Sequence, residues 1–446
     1  MTVEDYVVSV QDARDHLGPS KQAEHIYEYV TDNLSGRTAI IEDRYIDRDY
    51  FIDYAGFYAR SFGHVDRCTK RVHFFSESFD GDFFEDCLIN NHKNILKDKN
   101  YLGFTVIKQF KDRFGKPYPC IGRTLLTPMP KLNGNDSNNC RYICSDYKPN
   151  VYGIPLIISG LPFQAQDHAV AACATTALWT ACHQLNTLFG TPTLPPIEIT
   201  KRAGLTIENN RNFPNHGLTL KQMFTFLNSI DLDFEYLNVT EMADNYESEA
   251  KNIVPEIIKS MCTLNIPLIA ALKLTNHKVS PDYHAVVISG YGQDKLGKIN
   301  RLFIHDDQIG PYSRVNDGSS DGSFLNWSND WTENPQYGPY DEMNLDGILI
   351  PLYPKIRLSY KEIIKYVFGL KEDFPTVHFN LYITTVQKYK NKLIFENIEN
   401  KIDILRKPMP RYMWVINVKY NNKNITDLLI DSTSHIIRNR CTVKYK

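Results

Sequence analysis

Along the first 130 residues, apolar side chains occur in short blocks separated by polar residues, a pattern typical of β-strands. The blocks cover residues 38–42, 71–75, 103–108 and 122–128. Before them, apolar residues at helical spacing predict a short helix over residues 20–33. After them, residues 131–149 are rich in Asn, Asp, Ser, Gly and Pro, which predicts an exposed connector. We therefore predict a β-rich N-terminal region over residues 1–150, whose role stays open.

Near residue 151 the pattern changes from strands to helices that are followed by strands. The predicted helices cover residues 169–188, 218–227 and 248–263, and the predicted strands cover residues 267–272, 284–291, 301–306 and 347–353. Thr219 is the candidate N-cap of the second helix. A polar loop is predicted over residues 313–344. Helices first and an antiparallel sheet afterwards indicate an α+β domain, which we place at residues 151–355.

The last region, residues 356–446, combines a predicted helix over residues 360–369 with several strands, one of them over residues 412–418. We predict a small α/β region here. From residue 388 onward the chain has 13 Lys and Arg against 5 Asp and Glu, a difference of +8. Such a basic face could bind nucleic acid or an acidic partner, or could be a solvated sheet surface. We favour the solvated surface, because the chain as a whole is nearly neutral.

The composition is that of a soluble globular protein. Of the 446 residues, 42% are hydrophobic and 23% are charged, which excludes disorder along the whole chain. The formal net charge of −2 provides no overall field that would draw the protein to nucleic acid or to an anionic membrane. We recognise neither a signal peptide nor a run of about 20 apolar residues. The nine cysteines are odd in number and irregularly spaced, which favours a reducing compartment. We therefore expect a cytoplasmic protein without a membrane partner.

The sharpest chemical signal is the segment FQAQDHAVAACATTALW, residues 163–179, which places Cys173 in the first turns of the Ala-rich helix. Asp167 is available as the N-cap of that helix. The partial positive charge at a helix N-terminus favours a thiolate over a thiol. Gln166 and Gln164 lie seven and nine residues before Cys173. Either side-chain amide could donate a hydrogen bond to a developing oxyanion, with the Cys173 backbone N–H as the second donor.

A thiolate nucleophile needs a base, and the base needs a group that orients it. His284 opens an apolar strand, where a polar residue is unusual, and Asp306 ends the next strand-like run. Neighbouring strands would place these two side chains together, although the adjacent Asp307 leaves the choice of carboxylate open. His168 is a rival base that is closer to Cys173 in sequence. We rank it below His284, because five residues along a helix place two side chains on different faces.

This combination resembles the papain-like cysteine peptidases, and most closely the branch that cleaves double-glycine leader peptides, with its cytosolic relatives. In that family a Gln precedes the catalytic Cys at a helix start. A His-Ala-Val-Val-x-x-Gly-Tyr strand supplies the base, and an Asp or Asn on the following strand orients it. The resemblance covers about residues 160–355 and implies a papain-like catalytic domain. It implies Cys173 as the nucleophile and His284 as the general base, with Asp306 as the orienting group and Gln166 as the oxyanion donor.

The chain departs from the family pattern at two points. Ala174 stands where a Gly usually follows the Cys, and the gap from Gln166 to Cys173 is seven residues instead of about six, which keeps Gln164 as an alternative. The resemblance implies a peptidase that cleaves a peptide or isopeptide bond of a protein or peptide through a thioester, without metal or organic cofactor. Two alternatives remain: acyl transfer or deamidation by the same triad, as in transglutaminases or phytochelatin synthases, and a catalytically silent papain-like binding module.

Overall fold

The computed structural model describes residues 6–60, 65–90, 96, 99–111, 117–129, 140–167, 172–204, 217–276, 279–421 and 423–446. Helices and antiparallel sheets both contribute throughout these residues, which confirms the predicted α+β class. None of the helices in the described part of the chain combines the length and the apolar character needed to cross a membrane. All nine cysteines are free thiols.

The N-terminal region is built on one antiparallel sheet in which neighbouring strands follow chain order. Its strands are β1 (Val7–Ser9), β2 (Thr38–Tyr45), β3 (Thr69–Phe75), β4 (Tyr101–Lys111) and β5 (Pro117–Leu126). Its helices are α1 (Val10–Leu17), α2 (Lys21–Glu28), α3 (Arg48–Gly56) and α4 (Gly81–Ile89), with a π-helical turn at Tyr29–Asn33 and a 3₁₀ turn at Tyr58–Arg60. All four predicted strands fall in this sheet. The helix predicted over residues 20–33 is α2 continued by the π-helical turn.

Short strands connect this sheet to the middle of the chain. They are β6 (Cys140–Tyr142), β7 (Ser145–Tyr147), β8 (Asn150–Val151), β9 (Ile154–Pro155) and β10 (Ile158–Gly160). The prediction of an exposed connector is therefore wrong for residues 140–147, and residues 131–139 lie outside the described chain. Tyr142 of β6 pairs with Gly290 of the central sheet, and the next residue, Ile143, is fully buried. Backbone pairing of this kind is a long-range contact that polar composition does not reveal.

The middle of the chain is a closed ring of antiparallel strands with helices packed outside it. The helices are α5 (Cys173–Phe189), α6 (Pro196–Ala203), α7 (Leu220–Ser229), α8 (Val239–Thr263) and the short α9 (Asp330–Glu333). The strands are β11 (Asp233–Asn238), β12 (Leu268–Asn276), β13 (Val279–Gln293), β14 (Ile299–Asp306), β15 (Gly310–Asp317), β16 (Asn326–Ser328) and β17 (Glu342–Leu352). From β12 to β16 each strand pairs with the next, and β17 pairs with both β12 and β16. Six strands therefore close into a barrel, and β11 extends it along β17.

The predicted helices are present with changed starting points. The Thr219 side chain accepts the Gln222 backbone N–H at the start of α7, which confirms the predicted N-cap. The helix predicted from residue 248 starts earlier, at Val239, and is interrupted at Tyr246, whose φ of −148° and ψ of 66° are not helical. The prediction of a polar loop over residues 313–344 is wrong, because this stretch contains the end of β15, then β16 and α9.

The C-terminal region is a four-stranded antiparallel meander between two helical layers. Its elements are α10 (Tyr360–Asp373), β18 (His378–Thr385), α11 (Val386–Phe395), α12 (Lys401–Arg406), β19 (Tyr412–Tyr420), β20 (Lys423–Asp431) and β21 (Asn439–Lys444). One face of the sheet packs on α8 and α10, and the Ser260 hydroxyl donates to the Leu381 carbonyl at 2.7 Å. The largest apolar core continues from α5 and the barrel into this sheet. The division at residues 150 and 355 stays a prediction.

Candidate active site

The proposed nucleophile lies at the start of the most buried helix. Cys173 is the first residue of α5 and is half-buried, whereas residues 174–182 behind it are all buried. The helix is followed by Gly190 in the left-handed conformation (φ 74°). Ala172 occupies the N-cap position and makes no capping side-chain bond. The first N–H groups of a helix have no intrahelical acceptor, so the Cys173 N–H is free to donate a hydrogen bond to a substrate oxygen. The rival base His168 lies outside the described residues.

Asp167 does not cap this helix, which corrects the sequence prediction. Its carboxylate, with a fully buried side chain, accepts the Tyr58 hydroxyl at 2.6 Å and lies 3.3 Å from the Lys108 ammonium. Burial alone would lower the pKa of Lys108, but the charge and hydrogen bond of Asp167, together with Cys120 and Asp53, outweigh burial and raise it. Two ionised partners form a stronger hydrogen bond than a carboxylate and a neutral backbone N–H, which favours Lys108 over the helix start as the partner of Asp167. The segment that precedes Cys173 is thereby tied to β4 of the N-terminal sheet.

The proposed base and its orienting carboxylate meet across two paired strands. His284 lies on β13 and Asp306 at the end of β14, and the imidazole Nε2 is 2.9 Å from the Asp306 Oδ1. The Cys173 thiol lies close enough to the same imidazole to contribute to its raised pKa. Because Asp306 occupies Nε2, the nitrogen left for the thiol is Nδ1. The structure thus brings Cys173, His284 and Asp306 together in the order that a thiolate mechanism needs.

The charges in this cluster favour an imidazolium. Burial alone would lower the pKa of His284, but the attraction and hydrogen bond of Asp306, together with Cys173, raise it well above its ordinary value. Burial alone would raise the pKa of Asp306. The imidazole, the Trp331 indole and the Gln308 backbone N–H lower it instead. The pair is therefore stable as an ion pair. A proton moved from the thiol to the imidazole is held there.

Trp331 contacts both members of this pair, which the sequence analysis missed because Trp331 lies in the predicted polar loop. Its indole Nε1 donates to the Asp306 Oδ2 at 2.8 Å, and its ring centroid lies 5.3 Å from that of His284. Asn329 caps the short helix α9 that carries Trp331. The other tryptophan of this segment, Trp327, is buried and donates to the Phe324 carbonyl. The only sequence signal for this role was a long segment with two tryptophans.

The two candidate oxyanion donors differ in environment. Gln166 is half-buried, and its backbone carbonyl lies 3.6 Å from the Cys120 sulfur. Gln164 is buried, and its side-chain nitrogen has no hydrogen-bond partner within the described residues. A buried amide donor without a partner is costly, which favours a donor that is completed by a substrate. This observation favours Gln164, although the assignment of Gln166 stays a prediction.

Asp307 also lies beside the imidazole, but it is less suited to orient it. Its Oδ1 is 3.7 Å from the His284 Nε2, beyond hydrogen-bond distance. The ligand atoms of His284, Asp306 and Asp307 lie within 4.8 Å of one another, a spacing that a metal ion could also use. Because Nε2 is already hydrogen-bonded to Asp306, we identify no metal ligand among these three.

The N-terminal region supports the cluster from several sides. From α2, Gln22 donates to the Asp307 backbone carbonyl at 3.1 Å, and the His25 ring lies 2.9 Å from the Pro311 carbonyl. From α3, Asp49 accepts the indole N–H of Trp179, which lies on α5, at 2.9 Å. Both the helix of the nucleophile and the loop after Asp306 are thus held by N-terminal elements.

Comparison with models of known protein families gives no match, and comparison with curated protein sequences gives none either. The argument for function therefore depends on the site itself. It joins a half-buried thiol, a buried imidazole and a buried carboxylate in one chain of contacts. Such a chain can generate a thiolate and return its proton to a leaving group.

We predict that Lys108→Met destabilises the protein strongly, because it removes the cation that pairs with the buried Asp167 carboxylate. The free energy of unfolding should fall by about 3–5 kcal/mol in urea titrations. Lys70→Met is the matched control, because Lys70 pairs at 2.9 Å with Asp43 where both side chains are 29% exposed. In this control the free energy of unfolding should fall by less than about 1 kcal/mol. Equal losses in the two variants would contradict a special role for the buried pair.

We predict that Trp331→Phe weakens the site while keeping an aromatic ring in place. Loss of the donor to the charged Asp306 should cost about 1.5–3 kcal/mol of unfolding free energy and slow alkylation of Cys173 at pH 6. In the control Trp327→Phe, the lost bond is to a neutral carbonyl, so the cost should be about 0.5–1.5 kcal/mol. Alkylation of Cys173 should be unchanged in that control, and an equal slowing in both would count against the assignment.

Proposed function

We propose that this chain is an intracellular thiol hydrolase of the papain-like kind, and that it cleaves a peptide or isopeptide bond of a protein or peptide substrate. The observation that carries the proposal is the contact chain from Cys173 through His284 to Asp306. A free cysteine on an Ala-rich helix is usually a buried apolar residue, as Cys182 is here. Cys173 differs from Cys182 because it is half-buried and touches an imidazole that has its own carboxylate.

The proposed mechanism starts from the ion pair in which the Cys173 proton resides on His284, and the thiolate attacks the substrate carbonyl carbon. The Cys173 N–H and a glutamine amide, from Gln166 or Gln164, stabilise the oxyanion of the tetrahedral intermediate. The C–N bond breaks as the imidazolium gives its proton to the leaving amine, and a thioester remains. His284 then takes a proton from water, the hydroxide attacks the thioester, and the thiol and a carboxylic acid are released.

The architecture around the triad supports the same proposal. Helix α5 packs across β13, so that the proposed nucleophile and base come from different layers, a helix and the sheet. His284 and Asp306 are both buried, whereas Cys173 retains access to solvent. A substrate can therefore reach the sulfur without disturbing the pair behind it. Ala174 adds only a methyl group where the family has a Gly.

We predict that Cys173 is the fastest cysteine to react with iodoacetamide at pH 6. An ordinary thiol with a pKa near 8.5 is about 0.3% ionised at that pH. The raised pKa of His284 keeps the imidazole charged at pH 6 and until the pH rises through that pKa, and a cation beside the sulfur favours its reaction with iodoacetamide. Cys140 and Cys144 are the controls, because they are also half-buried; burial raises the pKa of the Cys144 thiol to about 12, so Cys140 is the closer match. Mass spectrometry should show Cys173 reacting at least about tenfold faster than either.

The control for this measurement is His284→Ala, which should remove the selectivity for Cys173. If Cys173 of the native protein reacts no faster than Cys140 and Cys144, the thiolate mechanism is contradicted. The catalytically silent binding module would then be favoured.

We predict that the protein hydrolyses peptides and that Cys173→Ala does not. The full chain should be incubated with a peptide mixture and a primary amine, and the products identified by mass spectrometry. Shortened peptides with free carboxylates are expected. Amine incorporation without cleavage would favour acyl transfer, and conversion of glutamine to glutamate would favour deamidation. Binding of peptides by the native chain without any conversion would contradict an enzyme.

A further inference from the structure

Asp307 is a buried carboxylate that the mechanism above does not use. Its side chain is 3% exposed, and neither of its oxygens has a hydrogen-bond partner in the described part of the chain. Its backbone is fixed, because Gln22 of α2 donates to its carbonyl. The one cationic group within 4 Å, among the described residues, is the His284 imidazole. A buried charge without donors is retained in proteins when it faces an opposite charge.

We propose that Asp307 is a second carboxylate of the centre, a positioning residue that acts on Cys173 only through the charge of the His284 imidazole. Asp306 holds the direction of the ring by a hydrogen bond, and Asp307 contributes attraction from 3.7 Å without a hydrogen bond. The inference rests on the proposed function and assigns a separate role to each of the two carboxylates. Asp306 orients the imidazole, whereas Asp307 determines up to which pH the imidazole stays charged.

The surrounding groups allow this role. Burial raises the pKa of Asp307 to about 7; the imidazolium opposes that rise, and Asp306 adds to it. Farther out, His25 on α2 and Asp330 on α9 interact with Asp306 and with each other. Burial lowers the pKa of His25, so it supplies no competing cation near neutral pH.

The sign of the effect follows from these charges. Below about pH 7 Asp307 is protonated and neutral, so it adds little to the Asp306–His284 pair. Above that pH Asp307 becomes an anion, and its attraction makes it harder for the His284 imidazolium to lose its proton. The thiolate–imidazolium pair should therefore persist to higher pH than Asp306 alone would allow. Removal of the second carboxylate should leave the site unchanged at pH 6 and alter it in the alkaline range.

The test is a histidine-labelled NMR titration of the full-length protein, with Asp307→Asn as the variant. The His284 ring should lose its proton about one pH unit lower than in the native chain. Alkylation of Cys173 by iodoacetamide at pH 6 should stay within about twofold of the native rate, because Asp307 is already neutral there. The control is Asp282→Asn, whose carboxylate accepts the Tyr340 hydroxyl at 2.7 Å instead of facing the imidazole. It should leave the His284 titration unchanged.

The outcomes separate this inference from the proposed function. If native Cys173 is selectively reactive at pH 6 but the His284 titrations of native and variant chains coincide, the role of Asp307 is overturned and the hydrolase proposal stands. If native Cys173 has no selectivity, the proposed function itself fails. Asp307→Ala serves as a second variant without a carboxylate, in case the amide disturbs folding. Both variants must shift the titration in the same direction, and an unshifted titration in either folded variant overturns the inference.

Discussion

The hydrogen bond between His284 and Asp306 is the contact on which the rest of the site depends. Both partners are buried, so neither charge is tolerable without the other. The contact exists because β13 and β14 are adjacent strands of a closed barrel. Val287 of β13 pairs with His305, the residue before Asp306. Trp331 completes the hydrogen bonding of Asp306 from the segment that closes the ring. The segment that closes the barrel therefore also helps to fix the imidazole through Asp306.

The N-terminal sheet is part of the same construction. The ion pair of Lys108 with Asp167 ties β4 to the described segment that ends at Asp167, and Asp49 holds α5 through the Trp179 indole. These contacts are buried, and they join the sheet to the nucleophile side of the site. The opposite side is held by Gln22 at the loop after β14. The N-terminal region therefore contributes polar contacts to both sides of the site.

Local patterns in the sequence predicted the parts of the structure that local physics determines. The strands of the N-terminal sheet, the helix behind Cys173 and the cap at Thr219 all have signals within a few residues. What failed was long-range. Asp167 looked like a cap because its partner Lys108 is remote in sequence, and Trp331 lay in a stretch predicted as a loop because its acceptor is on another strand. The adjacency of His284 and Asp306 could be anticipated, because consecutive antiparallel strands usually pair.

Asp53 shows why a raised pKa by itself does not mark a functional carboxylate. Its side chain is buried and burial raises its pKa to about 8, much as burial acts on Asp307. Yet one Asp53 oxygen accepts the Ile197 backbone N–H at 3.0 Å, so that carboxyl joins α3 to the start of α6. Asp307 has no such donor within the described residues and faces the His284 imidazole instead. The two carboxyls share their burial and differ in their neighbour, and the neighbour decides whether a change of charge reaches the thiol.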